Sequence, residues 1–180
     1  MYKKIVILII GFGCMALGGW AQKYSTEKTF VSFFSDAAIE DITAENTKTA
    51  GVFNSATGDI AFSVPIKDYE FEKSLMKEHF NEKYMETEKY PKSTFQGKVT
   101  GYTPDARGLQ NVSSKGKLTI HGQTHEVEIP GTIEKQGDKL IMKSKFIVKL
   151  EDYKIAIPQL LWQNIAEQVE VTVDFTFKPQ

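Results

Sequence analysis

Two-residue alternation of apolar and polar side chains constrains this chain more than any other feature. Between Leu140 and Leu150 the even positions are apolar except Ser144, and three of the odd positions are Lys143, Lys145 and Lys149. Val169, Val171, Val173, Phe175 and Phe177 alternate in the same way with Glu170, Thr172, Asp174, Thr176 and Lys178. Successive side chains of a strand point to opposite faces, so this pattern marks antiparallel strands with one packed and one solvated face. Leu140, Met142, Phe146 and Val148 are therefore expected to point inward, with Val171, Val173, Phe175 and Phe177. A slip of one residue would exchange the two faces of a strand.

Ile60, Phe62, Val64 and Ile66 repeat the period, as do Leu118 with Ile120 and Val127 with Ile129. Turn residues separate the runs: Asn54-Ser55-Ala56-Thr57-Gly58, His121-Gly122-Gln123 and Gln136-Gly137-Asp138 read as hairpin connections. The spacing predicts eight strands, near 26–35, 41–53, 58–67, 93–102, 110–121, 123–135, 138–150 and 167–178. Eight consecutive strands joined by tight turns fit an all-β, eight-stranded antiparallel barrel, which leaves no sheet edge exposed. Two segments break the alternation and read as short helices. One is 73–84, with Leu75, Met76, Phe80 and Tyr84 among lysines and glutamates; the other is 158–166, with Pro158 at a first helical position. Either can lie across a barrel mouth or pack on the outside. Pro91 biases Tyr90 away from helical geometry, so the segment 75–91 should be a short helix and turn rather than a ninth strand.

The N-terminus carries a different signal. Lys3 and Lys4 precede the apolar run 5–16, and Gly18-Gly19-Trp20-Ala21 supplies small residues at a cleavage position. This is the pattern of a secretory signal peptide over 1–21, favoured over an uncleaved membrane anchor because the apolar run is short for a spanning helix, and it leaves one domain over 22–180 exported to the periplasm or beyond the cell. Cys14, the single cysteine, lies within the apolar run, so residues 22–180 hold no disulfide and must be stabilised by core burial and closed hydrogen bonding. Taking Lys3 and Lys4 from 22 basic residues leaves 20 against 23 acidic ones, which gives no general attraction to nucleic acid.

An eight-stranded barrel is wide enough either to be filled by its own side chains or to enclose one small ligand. On the inferred inward faces the large residues are interrupted by Gly97, Gly101, Ser114, Gly116 and Ser144. These small residues either leave apolar volume, which costs stability unless something fills it, or make room for Phe95, Phe146, Phe175 and Phe177. On the first alternative an elongated cavity is expected, lined by Phe62, Val64, Phe95, Val99, Leu118, Ile120, Met142, Phe146, Val148, Val173 and Phe175. Gly97, Ser114, Gly116 and Ser144 should then mark its widest part, and a leucine at Gly97 or Gly116 should block it.

Three phrases carry a resemblance to a known family. The stretch His79-Phe80-Asn81 through Glu88-Lys89-Tyr90-Pro91 to Thr94-Phe95 resembles a signature segment of the YceI-like family. Gly116-Lys117-Leu118-Thr119-Ile120-His121-Gly122 resembles its second hallmark, and Val31-Ser32-Phe33-Phe34-Ser35 its first strand. The resemblance implies a lipocalin-like barrel that binds, without chemistry, an apolar lipid such as a polyisoprenoid or quinone, consistent with transport or storage and with transient membrane contact. It makes this chain a compact member, similar to exported proteins of the Bacteroidetes.

Other chemistries find little footing. His121 and His125 flank a turn rather than a helix face; they read as solvent-exposed turn residues, or as two ligands of a metal site lacking a clear third. His79 is expected to pack beside Phe80. Glu70, Glu72, Glu86 and Glu88 read as a solvated charged face rather than an acid–base pair. No Gly-x-Ser-x-Gly, phosphate-binding loop or His-Glu-x-x-His is present, so no cofactor is implied. Alternation by itself also permits a small outer-membrane barrel, with its apolar face toward lipid and its lysines in the lumen. An enzyme or a structural interaction module completes the alternatives.

Overall fold

The computed structural model describes residues 23–36, 41–157 and 166–180. Ten strands form one antiparallel sheet: β1 (Lys23–Ser35), β2 (Ile42–Asn46), β3 (Ala50–Asn54), β4 (Asp59–Pro65), β5 (Glu70–Phe71), β6 (Lys92–Thr100), β7 (Leu109–Ile120), β8 (Gln123–Gln136), β9 (Lys139–Lys149) and β10 (Gln168–Pro179). The first and last strands pair antiparallel from Tyr24↔Pro179 to Phe34↔Glu170, which closes the sheet on itself. Both β2 and β3 lie along β1, one at each end of it, and together fill one position, and β5, paired to β2, shares the next with β4, paired to β3. The result is the expected closed eight-stranded barrel. The expected helix over 158–166 and the expected signal peptide over 1–21 lie outside the described residues, apart from Ala166.

The strand expected over 41–53 is interrupted, and Asn46 supplies the reason. Fully buried, it donates from Nδ2 to the Pro65 carbonyl at 2.8 Å and accepts at Oδ1 from the Lys48 N–H at 2.8 Å. An Asn side chain that takes over a backbone donor two residues on builds a local turn in place of a ladder. The chain therefore leaves β1 after Asn46 and pairs with it again from Val52. The three expected hairpin turns are present. The β7–β8 loop has two residues, His121 at φ 48° and Gly122 at φ 72°, the positive pair that matches strand twist.

The helical segment forms at one barrel end, as read from the sequence. A 3-10 turn (Ile66–Asp68) leads through β5 into α1 (Ser74–His79), continues as a π turn (Phe80–Tyr84) and reaches β6 after Pro91. The two-residue strand β5 pairs with β2 and was not expected; it is too short to show a period. The opposite end holds the loops 54–58, 100–109 and 136–138.

The side chains sort by face as the alternation requires. Leu140, Met142, Val148, Val173, Phe175 and Phe177 are buried, while Lys143, Lys145 and Lys149 are exposed. On the outer wall Lys143 pairs with Asp174 at 2.9 Å and Lys145 with Glu170 at 2.7 Å. Away from the helical end the interior is filled by a column of aromatic rings. Tyr24 meets Phe53 at 6.4 Å, Phe53 meets Phe177 at 6.3 Å, Phe177 meets Phe175 at 6.0 Å, and Phe175 meets Phe62 at 5.6 Å.

Gly97 and Gly116 face each other across β6 and β7. A Cβ on Gly116 would collide with the Gln96 carbonyl oxygen and with Gly97 Cα; one on Gly97 would lie 2.5 Å from the Lys115 oxygen and 2.8 Å from Phe95 Cζ. The expectation that these glycines widen a cavity is corrected: they let two backbones approach and let the Phe95 ring cover the gap.

Two stability tests follow from these contacts. Asn46→Ala leaves the Lys48 N–H and the Pro65 carbonyl without their partner, so a loss of ~1–3 kcal/mol is expected, read as a lower urea midpoint at unchanged slope. Gly116→Ala should lose ~1–3 kcal/mol by overpacking backbone against backbone, and a midpoint equal to that of the original protein would refute the close approach.

Candidate functional site

Above the aromatic column the barrel is hollow. A cavity of about 320 Å3 lies at the helical end. Its wall takes Val31, Phe33 and Ser35 from β1, Phe62 and Val64 from β4, Leu118 and Ile120 from β7, Phe146 and Val148 from β9, and Val169, Val171 and Val173 from β10. These positions share the inward face because each strand contributes residues two apart. Phe62 forms the floor, stacked on Phe95 at 5.2 Å and 22° and edge-on to Phe175.

The upper wall is a second aromatic group supplied by the helical segment. Phe33 stacks on Phe80 at 5.5 Å and 23°, and it meets Tyr69 at 5.5 Å and Phe71 at 5.9 Å. His79, expected beside Phe80, lines the cavity with it. Among the described residues, the lining holds no carboxylate, lysine or arginine. Burial alone pushes the Tyr69 phenol far above its ordinary range and raises that of Tyr84, so both stay neutral at physiological pH. A wall of this kind accepts apolar matter and penalises an unpaired charge.

Of the fifteen residues expected at the site, Phe62, Val64, Leu118, Ile120, Phe146, Val148 and Val173 line the cavity. Phe95, Gly97, Val99, Ser114, Gly116, Met142, Ser144 and Phe175 do not; they belong to the filled half of the barrel or to the close approach of β6 and β7. Ser144 spends its hydroxyl on the Pro130 carbonyl at 2.6 Å, bridging β9 to β8 rather than widening the interior. Sequence reasoning missed Tyr69, Phe71, Tyr84 and Met85, which sit on segments with no strand period. Phe33 had a usable signal, since Val31, Phe33 and Ser35 alternate.

The helical cap is tied to the barrel through the β7–β8 turn. His121 is buried, not the solvent-exposed turn residue expected, because three groups converge on it. Its Nδ1–H donates to the Tyr153 carbonyl at 3.1 Å, its Nε2 lies 2.9 Å from the Glu86 carboxylate, and Tyr90 packs edge-on at 4.5 Å. A side chain at Gly122 would strike that same Tyr90 ring. Glu86 thus has a specific partner, while Glu70 and Glu88 form exposed pairs with Lys77 and Lys67. His125 is exposed, with Nε2 at 2.7 Å from the Asp152 carbonyl. The phrases around Tyr90 and around His121-Gly122, distant in sequence, are therefore one contact in space.

Comparison with known proteins follows the same outline. The family model of the YceI-like domain matches residues 23–177. Among solved structures, a polyisoprenoid binding domain from Saccharophagus degradans superposes with a TM-score of 0.75 at 14% identity, covering 87% of this chain and 98% of its own. BcnA of Burkholderia cenocepacia gives 0.70 at 16% identity, covering 82% and 95%. The Campylobacter jejuni YceI protein gives 0.53 at 15% identity, covering 99% of both chains. At these identities the likeness is one of fold. No curated protein sequence matches. A family match spanning the whole barrel, from the first closing strand to the last, makes this chain a member of the YceI-like domain family.

Proposed function

We propose that the chain binds the apolar tail of a lipid in the cavity at its helical end and holds it without chemical change. One observation carries this reading: a closed barrel leaves a cavity walled by Val, Leu, Ile and Phe, above a floor of packed rings. Burying an alkyl or isoprenoid chain there releases its hydration water, at about 0.8 kcal/mol for each buried methylene, and needs few polar contacts. The S. degradans neighbour, described as a polyisoprenoid binding domain, supports an isoprenoid-like tail, and a quinone tail has the same chemistry. The uncharged wall supports holding rather than transforming, and a headgroup that is charged belongs at the mouth.

The lysines of β9 and the acids of β10 pair on the outer wall, whereas a barrel facing lipid needs an apolar outside. This favours the carrier over the outer-membrane alternative. Lys3, Lys4 and the apolar run before Ala21 favour export, with transport or storage of the lipid between membranes as the role.

Mass spectrometry of organic extracts of the protein, purified from its own host, should return a single-tailed or isoprenoid lipid. In vitro, Val148→Trp should fill the cavity and weaken binding of farnesol at least tenfold, with little change in melting temperature. Val52→Trp, on the half-exposed outer surface, should bind as the original protein does. Equal affinity of all three proteins for farnesol would place the ligand elsewhere.

A further inference from the structure

We propose that Phe62 is a chain-length stop, so that affinity for a lipid tail rises with length only up to about twelve to fourteen chain carbons. The inference rests on the reading of the cavity as a lipid site and adds which lipid it takes.

The depth of the cavity is set by three strands independently. Its lining runs from Val173 to Val169 on β10, from Phe62 on β4 to Ile66 just past it, and from Phe146 on β9 to Leu150 just past it. Each is a span of four residues, or about 13 Å at the rise of a strand. A fully extended chain advances roughly 1.2 Å per bond, since three backbone bonds cover one residue. About eleven bonds therefore fit alongside the strands, and the ring wall of Phe33 and Phe80 shelters a few more. That is the length of three isoprene units, each contributing four chain atoms. The cavity volume of about 320 Å3 stands at the small end of the roughly 300–1,000 Å3 found for ligand sites.

The floor cannot retreat to admit a longer tail. Phe62 rests on Phe95 and Phe175, each 1% exposed. Phe95 is wedged over Gly97, where its ring occupies the place of a side chain. Phe175 rests in turn on Phe177, which is fully buried. Moving Phe62 downward would displace this whole column. A tail longer than the cavity must leave its excess carbons at the mouth, in water, where they add nothing to binding.

The test is a series of n-alkanols from 8 to 18 carbons, titrated against the protein by displacement of a fluorescent apolar probe. The dissociation constant should fall about fourfold per added carbon, the factor expected for a buried methylene, and level off between 12 and 14 carbons. In Phe62→Ala the plateau should move to longer tails by several carbons. Phe62→Leu, which keeps more of the packing, should move it by fewer. Melting curves establish that each variant is folded, and if Phe62→Ala does not fold, the original protein and Phe62→Leu decide. A dissociation constant that keeps falling by the same factor to 18 carbons in the original protein overturns the stop but leaves lipid binding intact. A plateau unmoved in a folded Phe62 variant does the same. No binding at any length overturns the lipid reading itself.

Discussion

The antiparallel pairing of β1 with β10 is the contact on which the rest of the molecule depends. It joins the two ends of the described chain across ten partner positions, from Tyr24↔Pro179 to Phe34↔Glu170. Without it the sheet would expose two edges, each a row of unpaired donors and acceptors. With it, every inward face is committed to one enclosed space, and no cysteine is available in residues 22–180 to staple the fold by other means. The closure also concentrates the apolar side chains: Val31 lies opposite Val173 in the cavity wall, and Tyr24 and Phe177 enter the same aromatic column.

That enclosed space is used in two ways, and the division follows side-chain volume. In the lower half Tyr24, Phe53, Phe95, Phe175 and Phe177 bring large rings from β1, β3, β6 and β10, and these are buried to 1% or less. In the upper half β1, β4, β9 and β10 present Val31, Val64, Val148, Val169, Val171 and Val173, with leucine and isoleucine between them. Valines on opposing walls do not meet across a barrel of this width, whereas phenylalanines do. The cavity is thus a consequence of branched, short side chains at one end of each strand. The rings at the other end supply the packed core that compensates for it.

Period and turns were readable from the sequence because each depends on local pattern, and closure followed because eight strands in sequence order would otherwise leave two exposed edges. The faces of β9 and β10 follow from alternation alone, and the His121-Gly122 turn follows from two residues that tolerate positive φ. What was not readable depends on partners distant in sequence. Asn46 breaks a strand by a local turn to the Lys48 N–H, but its burial depends on the Pro65 carbonyl, 19 residues on, which nothing within 41–53 announces. Gly97 and Gly116 looked like spare volume. Only their opposition in register shows that the missing side chains are replaced by backbone and by the Phe95 ring. His121 looked solvated because Glu86, Tyr90 and Tyr153 reach it from two other segments.

The two ends of the barrel also differ in how firmly they are held, and this bears on how a ligand passes. The lower end is closed by interlocked rings between strands. The upper end is covered by a six-residue helix whose N-terminus has no side-chain cap, followed by a π turn. A helix so short has little stability of its own and depends on attachments such as the His121 contacts, the Ile66 N–H bond to Pro91 at 2.9 Å, and the packing of Phe80 against Phe33 and Phe71. Opening of the cap would break those attachments and leave intact every strand pairing except the short one of β5 with β2. Opening the floor would unpack the column that holds the barrel together. Local openings draw on the least stable elements first, so the helical end is where a mouth to the cavity is expected.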